Sequence, residues 1–268
     1  MTFSIITVTY NAAQWIERTI QSILSQTCKN IEYIIVDGGS TDGTVDIITN
    51  YELRILNFQF ISEPDKGLYD AMNKGLKLAT GDYVWFINAG DRIHSENTVQ
   101  EIVNQITPKS PEGDFTSQSY ARPTPPLGGW GVLYGEAEIS DAQGNSLGMR
   151  RLKAPEKLTW KSFKMGMLVC HQSFIVKREI AEPYDLQYRY AADIDWCIRC
   201  LKKADPILNT HLTLSYFLEA GYSAANRKAS LKERYEIMCK YYGKIPTLIR
   251  HLWFAVRFYT AKCLKKNI

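Results

Sequence analysis

The chain lacks the long hydrophobic runs of membrane-spanning proteins. No stretch reaches the roughly 18 uninterrupted apolar residues that a transmembrane helix needs. The first residues, Met1 to Ile6, carry neither a basic leader nor a long apolar core, so no signal peptide is expected. These two absences predict a cytoplasmic protein.

Paired cysteines and a strong charge of one sign are missing as well. Six cysteines are scattered over 268 residues, without the dense spacing of a disulfide scaffold. Cys197 and Cys200 have redox or zinc spacing, but no second pair exists and their segment has a helical pattern, so we interpret both as packing residues. The net charge of +4 is small and argues against nucleic acid as a partner.

What the sequence does contain is an alternation of strand and helix patterns. Apolar runs predict strands at 4–9, 32–36, 58–62 and 83–87, and apolar residues at helical spacing lie between them, with Asn11 as the expected cap of the first helix. Such alternation predicts a parallel, doubly wound α/β sheet. Further along, the pattern predicts a proline-rich mobile loop at 107–131, a hairpin of 132–139 with 146–151, a mixed strand region at 165–176 and a helix at 192–202.

The chain ends in an amphipathic segment, residues 246–266. On a helical wheel its aliphatic residues fall on one side and most of its basic residues on the other. Such a helix can lie in a bilayer interface and attract anionic headgroups. The alternative is a helix docked on the catalytic domain with its charged face in solvent. The first interpretation adds the inner face of the membrane as an expected location.

An acidic residue follows the fourth predicted strand. Asn88-Ala89-Gly90-Asp91 ends the apolar run 83–87, and ligands of open α/β sheets bind at the carboxyl ends of the strands. Asp91 is thus well placed to hold a hard divalent cation through oxygen ligands. The alternative role is a cap on a helix that begins near Ser95.

Three more motifs accompany it: Thr9-Tyr10-Asn11 after the first strand, Asp37-Gly38-Gly39-Ser40 after the second, and Ala192-Asp193-Ile194-Asp195-Trp196 later. Together the four resemble the family 2 glycosyltransferases from about Ser4 to Ser223, and residues 63–75 look like a bacterial polysaccharide-synthesis subgroup. The resemblance implies a GT-A type nucleotide-binding fold, a doubly wound and mainly parallel sheet with a C-terminal helical extension. It also implies inverting transfer of a hexose from a nucleotide-sugar, UDP-sugar by default, to a glycan or polyprenyl-linked acceptor.

The same resemblance divides the chain into domains. Residues 1–225 would form the glycosyltransferase domain, with a nucleotide-sugar-binding half (1–106), the mobile loop (107–131) and an acceptor half (132–225). Residues 226–268 would form the amphipathic tail.

The resemblance also assigns the site. The metal, Mn²⁺ or Mg²⁺, would bind Asp91, with Glu219 as a weaker second candidate, and Asp193 would be the catalytic base. The residues implied for the donor are Thr9, Tyr10, Asp37, Asp65, Lys66 and Asn88. Those implied for the acceptor are His171, Gln172, Asp195 and Trp196.

Each assignment has a structural alternative. Asp37 can be a turn former bonded to its own backbone, Lys66 a solvated lysine, His171 a structural histidine and Asp193 an N-cap. Asp195 lies two residues after Asp193, which on a helix points it away from the base, so it can instead orient a neighbour.

The motifs also depart from the family pattern. Gly38 and Gly90 stand where many relatives carry aspartates, and Ala192 replaces the first member of an acidic pair. Two other functions therefore stay open: sugar nucleotidyl transfer, and a non-catalytic nucleotide-sugar-binding scaffold with an eroded site. A dehydrogenase is disfavoured because the glycines at 38–43 do not follow dinucleotide spacing.

Overall fold

The computed structural model describes residues 1–52, 56–107, 128–219 and 226–265, without the side chains of residue 255 and residues 257–265. The predicted mobile loop at 107–131 lies almost entirely outside the described residues.

The N-terminal half forms a parallel sheet in the order β3-β2-β1-β4. Its strands lie within a residue of the predicted ones: β1 (Phe3–Thr9), β2 (Ile31–Asp37), β3 (Phe58–Ser62) and β4 (Tyr83–Phe86). Every residue of β1 and β2 is buried, which is why they appear as continuous apolar runs. The connecting helices are α1 (Ala13–Leu24), α2 (Thr44–Glu52) and α3 (Leu68–Leu78).

The second half extends this sheet with mixed pairing. Beyond β4 come β8, β6, β9 and β5, and β7 pairs with β6 alone. These strands are β5 (Arg92–Ile93), β6 (Val132–Ser140), β7 (Ser146–Met149), β8 (Phe174–Lys177) and β9 (Ile207–Leu218). The predicted hairpin is confirmed as β6 and β7. β8 is antiparallel to β4 and β6, β5 is antiparallel to β9, and β9 is parallel to β6. The first half is therefore wholly parallel, whereas the second half is mixed.

Helices cover both faces of the sheet. One core packs against α3 and α5 (Ala192–Lys203), and the other against α1, α2 and α4 (Thr98–Ile106). In β1, Ile6 and Val8 belong to the first core, whereas Phe3 and Ile5 belong to the second, as the two-residue period of a strand requires. The sheet is therefore doubly wound, as predicted.

Asn11 does not cap α1, contrary to the prediction. Its φ is 48° and its side-chain oxygen accepts from the backbone N–H of Thr41, 2.9 Å away. The free amides at the start of α1 are satisfied from the next loop instead. Ala13 N–H donates to the carboxylate of Asp42 (3.0 Å) and Ala12 N–H to the hydroxyl of Thr44 (2.8 Å), so a distant segment supplies the cap.

Two helices follow the sheet, α6 (Arg227–Tyr242) and α7 (Lys244–Lys265). Helix α6 packs on the domain, where Ile237 and Met238 are buried. Residues 220–225, which precede it and include the predicted domain boundary, lie outside the described residues. In the described ranges, no helix combines the length and apolar character needed to cross a bilayer.

Asp195 joins α5 to α6. Its carboxylate is fully buried and accepts from Arg199 (2.7 Å), Tyr241 (2.8 Å) and Lys240 (3.1 Å). Burial on its own would raise the pKa of Asp195, but these hydrogen bonds outweigh it and hold the pKa below the ordinary value. The ionised form is thus the one that the fold stabilises.

Asp195→Asn should therefore lower the free energy of unfolding by about 2–3 kcal/mol at pH 7, because a neutral amide leaves two cations underpaired. A lowered folded-state pKa contributes stability above the unfolded pKa, near 4, that is lost as pH falls through the folded pKa. The difference in unfolding free energy between the variant and the wild type should therefore become smaller at acidic pH. Urea unfolding at pH 7 and at about pH 2–3, below the unfolded pKa, measures this change.

Glu236→Gln is the matched control. It breaks an exposed pair with Lys232, 3.9 Å apart on α6, and should change stability by less than about 0.5 kcal/mol. Equal losses for both variants would contradict a structural role for Asp195.

Candidate active site

A cleft of about 1140 Å³ opens where β1 and β4 end. The ends of these strands supply Thr9 and Asn88 to one wall, together with the loop after β2. The opposite wall comes from the short 3-10 helix His171–Ser173 and the first turn of α5. The cleft therefore lies at the sheet edge where α/β proteins bind ligands.

Two buried oxygens in this cleft have no partner. Thr9 Oγ1 and Asn88 Oδ1 are inaccessible to solvent and accept or donate no hydrogen bond within the described structure. Buried polar atoms are normally satisfied, so both atoms are suited to a bound ligand. Tyr10, by contrast, is 64% exposed and presents its ring at the cleft mouth.

Because residue 38 is a glycine, the carboxylate of Asp65 can occupy the space beside it. A Cβ on residue 38 would lie 2.5 Å from Asp65 Oδ2 and 3.3 Å from Tyr10 Cδ2. The other oxygen of Asp65 accepts from the backbone N–H of Gly67 at 2.7 Å, which fixes its position. A carboxylate is therefore present beside residue 38, although it comes from the next loop. Lys66, the remaining predicted donor residue of that loop, is exposed and lines the cleft.

Asp37 holds the turn that follows β2. It is fully buried, and one oxygen accepts from Gly39 N (3.0 Å), Ser40 N (2.8 Å) and Ser62 Oγ (2.7 Å), while the other accepts from the hydroxyl of Ser40. It is not among the cleft-lining residues, whereas Gly38 and Gly39 are. The turn-former alternative thus describes Asp37, and its predicted contact with the donor is not made by a free carboxylate.

Asp91 lies at the base of the cleft and is 5% exposed. Its oxygens accept from the backbone N–H of Leu218 (2.9 Å) and from the amide of Gln172 (2.7 Å). Burial raises the pKa of Asp91 to about 7, although both hydrogen bonds act to lower it. It does not cap α4, because that helix begins at Thr98 after Asn97.

Gly90 is required by the backbone. Its φ is +99°, and a Cβ there would lie 2.7 Å from Leu218 Cδ2. An aspartate at this position would face strain and a collision with β9. The departure from the family pattern at residue 90 thus has a steric cause in this chain.

Asp193 faces the cleft from the first turn of α5. Its Oδ1 accepts from the phenol of Tyr69, 3.3 Å away, and from the N–H of Ile194. The N-cap position belongs to Ala191, so Asp193 is not the cap. Glu233 on α6 binds the segment that precedes the helix, since its carboxylate accepts from the backbone N–H groups of residues 189–191 at 2.7–2.9 Å.

His171 and Gln172 line the cleft between the two aspartates. His171 Nε2 lies 2.7 Å from Tyr184 Oη, and burial lowers the pKa of His171, with the charge of Asp193 opposing that shift. Gln172 donates to Asp91, and its backbone carbonyl accepts from Trp85 Nε1 at 2.7 Å. Gln172 therefore orients the predicted metal ligand.

Three predicted residues do not line the cleft. Asp195 is two residues from Asp193, a rotation of about 200° on a helix, and forms the network described above. Trp196, three residues on, lies on the same side of α5 as Asp193 but is fully buried: its ring centroid is 5.7 Å from that of His171, and its Nε1 donates to the Glu182 carbonyl at 2.7 Å. Neither side chain therefore offers the predicted acceptor contact at the cleft surface. Glu219 is exposed and does not line the cleft.

The donor set for a metal is small. Among the described residues, no group of three or more His, Cys, Asp or Glu side chains is arranged to hold an ion. The oxygens of Asp91 and Asn88 share the cleft, and the Asn88 oxygen has no partner. Mg²⁺ commonly takes one or two protein ligands and completes its shell with phosphates and water, so these residues fit a diphosphate-bound ion.

Sequence reasoning missed three arginines of the cleft wall, Arg150, Arg189 and Arg234. Arg150 donates to the backbone carbonyls of Met167 (2.7 Å) and Leu168 (3.2 Å). Each arginine stands in a segment without a recognisable motif, and they converge only through the tertiary fold. No sequence signal could have found them.

Comparison with known proteins agrees with this arrangement. The chain matches the family model described as Glycosyl transferase family 2 over residues 4–182. An uncharacterised glycosyltransferase of Mycobacterium tuberculosis is 30% identical over 211 residues, which cover 77% of this chain and 71% of that protein. A PGL/p-HBAD biosynthesis glycosyltransferase of Mycobacterium bovis is 31% identical over 229 residues, which cover 82% and 77%.

Solved structures share the fold. S. aureus TarS 1–349 has a TM-score of 0.64 at 17% identity, over 95% of this chain and 72% of that chain. Its complex with UDP-GlcNAc has a TM-score of 0.62 at 20% identity, over 89% and 64%. The mannosyltransferase PcManGT from Pyrobaculum calidifontis, in complex with GDP-Man and Mn²⁺, has a TM-score of 0.61 at 18% identity, over 93% and 68%. The predicted GT-A fold is confirmed, and the chain belongs to glycosyltransferase family 2.

Proposed function

We propose that this transferase is an inverting hexosyltransferase, which moves a sugar from a UDP-sugar to a glycan or polyprenyl-linked acceptor in surface polysaccharide synthesis. The observation that carries the proposal is that Asp91 and Asp193, remote in sequence, line one cleft together with unpartnered ligand-binding atoms. Family membership favours glycosyl transfer over the nucleotidyltransferase and dehydrogenase alternatives. TarS, a relative in fold, binds UDP-GlcNAc and UDP.

The nucleotide would occupy the wall formed by Thr9, Tyr10 and the loop at 64–67. The exposed ring of Tyr10 offers a face for stacking, and the Asp65 carboxylate can accept hydrogen bonds from a base or ribose. Thr9 Oγ1 and Asn88 Oδ1 would each gain the partner that they lack. This part of the proposal rests on satisfaction of buried polar atoms.

A divalent ion would be held by Asp91 and Asn88 along with the donor diphosphate. The mannosyltransferase relative in fold carries Mn²⁺ beside GDP-Man. Such an ion supplies charge that offsets the leaving diphosphate. Ionisation of Asp91, whose pKa burial raises to about 7, would make ion binding stronger as pH rises through neutrality.

Asp193 would act as general base from the opposite wall. It accepts the proton of the acceptor hydroxyl while the acceptor oxygen bonds to the sugar's anomeric carbon and the bond to the diphosphate breaks. The Tyr69 phenol, 3.3 Å from Asp193 Oδ1, holds the carboxylate in place. A single displacement of this kind inverts the anomeric configuration.

Asp193→Asn should preserve UDP affinity and lower turnover by about 10²–10⁴-fold, because the amide cannot take the proton. Calorimetry with UDP gives the first quantity. Nucleoside diphosphate release, screened over UDP- and GDP-sugars with a membrane lipid extract as acceptor source, gives the second. Asp46→Asn, on the exposed side of α2, is the matched control, and near-normal turnover of Asp193→Asn would refute the assignment.

Asp91→Asn should abolish the tightening of UDP binding by Mn²⁺ and stabilise the metal-free protein at pH 8. An unfolded aspartate titrates near pH 4 and the folded one near 7, so between these values the folded state binds the extra proton and stability falls as pH rises. The amide carries no such penalty. Urea unfolding with a chelator should show a gain at pH 8 that disappears near pH 4, and a loss at both pH values would contradict the account.

We also propose peripheral contact with the membrane through α7. Six apolar side chains of this helix are 51–74% exposed and lie on one face: Ile245, Leu248, Ile249, Leu252, Trp253 and Val256. The opposite face packs on α6 through buried Thr247 and through His251, whose Nε2 lies 3.3 Å from Met238 Sδ. These exposures favour the membrane interpretation over the alternative of a helix docked with its charged face in solvent.

Charge complements this apolar face. No acidic residue follows Glu236, whereas seven lysines and arginines do. An apolar stripe with basic flanks fits the interface of an anionic bilayer, where each basic residue adds about 1 kcal/mol.

Leu248→Glu combined with Leu252→Glu should reduce co-sedimentation with phosphatidylglycerol vesicles by about tenfold or more, because two charges would enter the apolar interface. Leu231→Glu on α6, at a side chain exposed to the same degree (50%), should have little effect. Unchanged sedimentation of the double variant would overturn the membrane proposal. So would a lipid-independent dimer that the double variant dissociates.

A further inference from the structure

Arg234 lines the cleft and forms no ion pair with a carboxylate of the described residues. It projects from α6 into the wall that also carries Tyr69 and Asp193. Its Nε is buried and has no hydrogen-bond partner in the described structure. Burial raises the pKa of Tyr69 well above its ordinary value, and the charge of Arg234 opposes this rise, which shows that the guanidinium lies near the Tyr69–Asp193 pair.

Glu233, the neighbouring carboxylate, is not available to neutralise Arg234. Both of its oxygens accept from the backbone N–H groups of residues 189–191. This contact ties the segment that carries Arg189 to α6 and sets Arg189 at the same cleft wall as Arg234. A buried guanidinium nitrogen that lacks a partner carries a desolvation cost, which an incoming anion would remove.

We propose that Arg234, assisted by Arg189, binds an oxyanion on the acceptor, a phosphate or carboxylate group close to the hydroxyl that is glycosylated. The inference rests on the proposed function, because it takes Asp193 as the base that marks the acceptor position. The planar guanidinium fork matches phosphate and carboxylate oxygens in a bidentate manner. The reactive hydroxyl then lies at Asp193 while the anion is held on the α6 side.

The diphosphate of the donor would be held by other residues of the cleft. The proposed ligands of the diphosphate-bound ion, Asp91 and Asn88, follow β4, whereas Arg234 belongs to α6 and its charge acts on Tyr69 of α3. An acceptor anion bound at Arg234 would therefore be kept apart from the negative charge of the donor diphosphate. The subsite thus selects acidic acceptors over neutral ones.

The test is calorimetric titration of the full chain with glucose 6-phosphate, glucuronate and glucose, each with and without saturating UDP and Mn²⁺. Wild-type protein saturated with UDP should bind at least one of the two anions and not glucose. Tighter binding of glucose 6-phosphate would identify the acceptor group as a phosphate, and tighter binding of glucuronate would identify it as a carboxylate. Arg234→Gln should weaken that binding by about tenfold or more, and Arg234→Lys should lose less because it keeps a point charge.

Lys232→Gln is the control on the same helix. The Lys232 side chain is 80% exposed and does not line the cleft. The variant protein should therefore bind the anion with the affinity of the wild type. The UDP affinity of Arg234→Gln should also stay unchanged and its thermal midpoint should not fall, because no hydrogen bond to the rest of the described protein is lost at Nε.

Three results would overturn the proposal: no anion binding by the UDP-bound wild type, equal affinity in Arg234→Gln, or a loss confined to UDP, which would assign Arg234 to the donor. Failure of the proposed function looks different. In that case UDP would not bind any variant, while the titrations without UDP would still report whether Arg234 holds the anion.

Discussion

The Asp91 carboxylate is buried where three segments meet, the end of β4, the end of β9 and the 3-10 helix that carries Gln172. Its two oxygens accept from Leu218 N–H and the Gln172 amide, so the two halves of the sheet are joined at the residue proposed to hold the ion. Burial raises the pKa of this group to about 7, and the free protein therefore holds a carboxylate that an added cation would help to ionise. Stability and function oppose each other at this position.

At residues 38 and 90, where this chain lacks the aspartates of the family pattern, neighbouring residues occupy the space that those side chains would need. At residue 38 a side chain would collide with Asp65, whose carboxylate stands in the space that an aspartate there would need. At residue 90 the left-handed backbone and Leu218 exclude any side chain. These two contacts weaken the scaffold alternative, because the absent acids at residues 38 and 90 each have a local structural reason within an intact cleft.

Much of the first half of the fold could be predicted from the sequence. Parallel strands such as β1 and β2 are buried at every position and are mostly apolar, so their ends are sharp in the sequence. Strand β9 escaped prediction because its burial is irregular and polar residues such as Asn209, Thr210 and His211 interrupt it. The cap of α1 was misassigned because Asp42 and Thr44 reach it from about 30 residues away, and local patterns do not carry such contacts.

The candidate site was predictable only where a motif follows a strand or starts a helix. Thr9, Asn88, Asp91 and Asp193 all reach the cleft for that reason. Asp195 does not, because helix rotation turns it toward α6, and Trp196 does not, because its ring is buried in the core beside Phe86 and His171. Arg234 depends on the docking of α6 through Glu233, a contact between segments more than 40 residues apart.

The central claim is that Asp91 and Asp193 act on one donor from opposite walls. A crystal structure with Mn²⁺ and a non-hydrolysable UDP-sugar analogue tests it most directly. The account predicts a metal ion about 2.1 Å from an Asp91 oxygen, bound also to the diphosphate, and an anomeric carbon whose free face is turned to Asp193. An ion bound elsewhere while Asp91 keeps only its bonds to Leu218 and Gln172, or a sugar that faces away from Asp193, would contradict it.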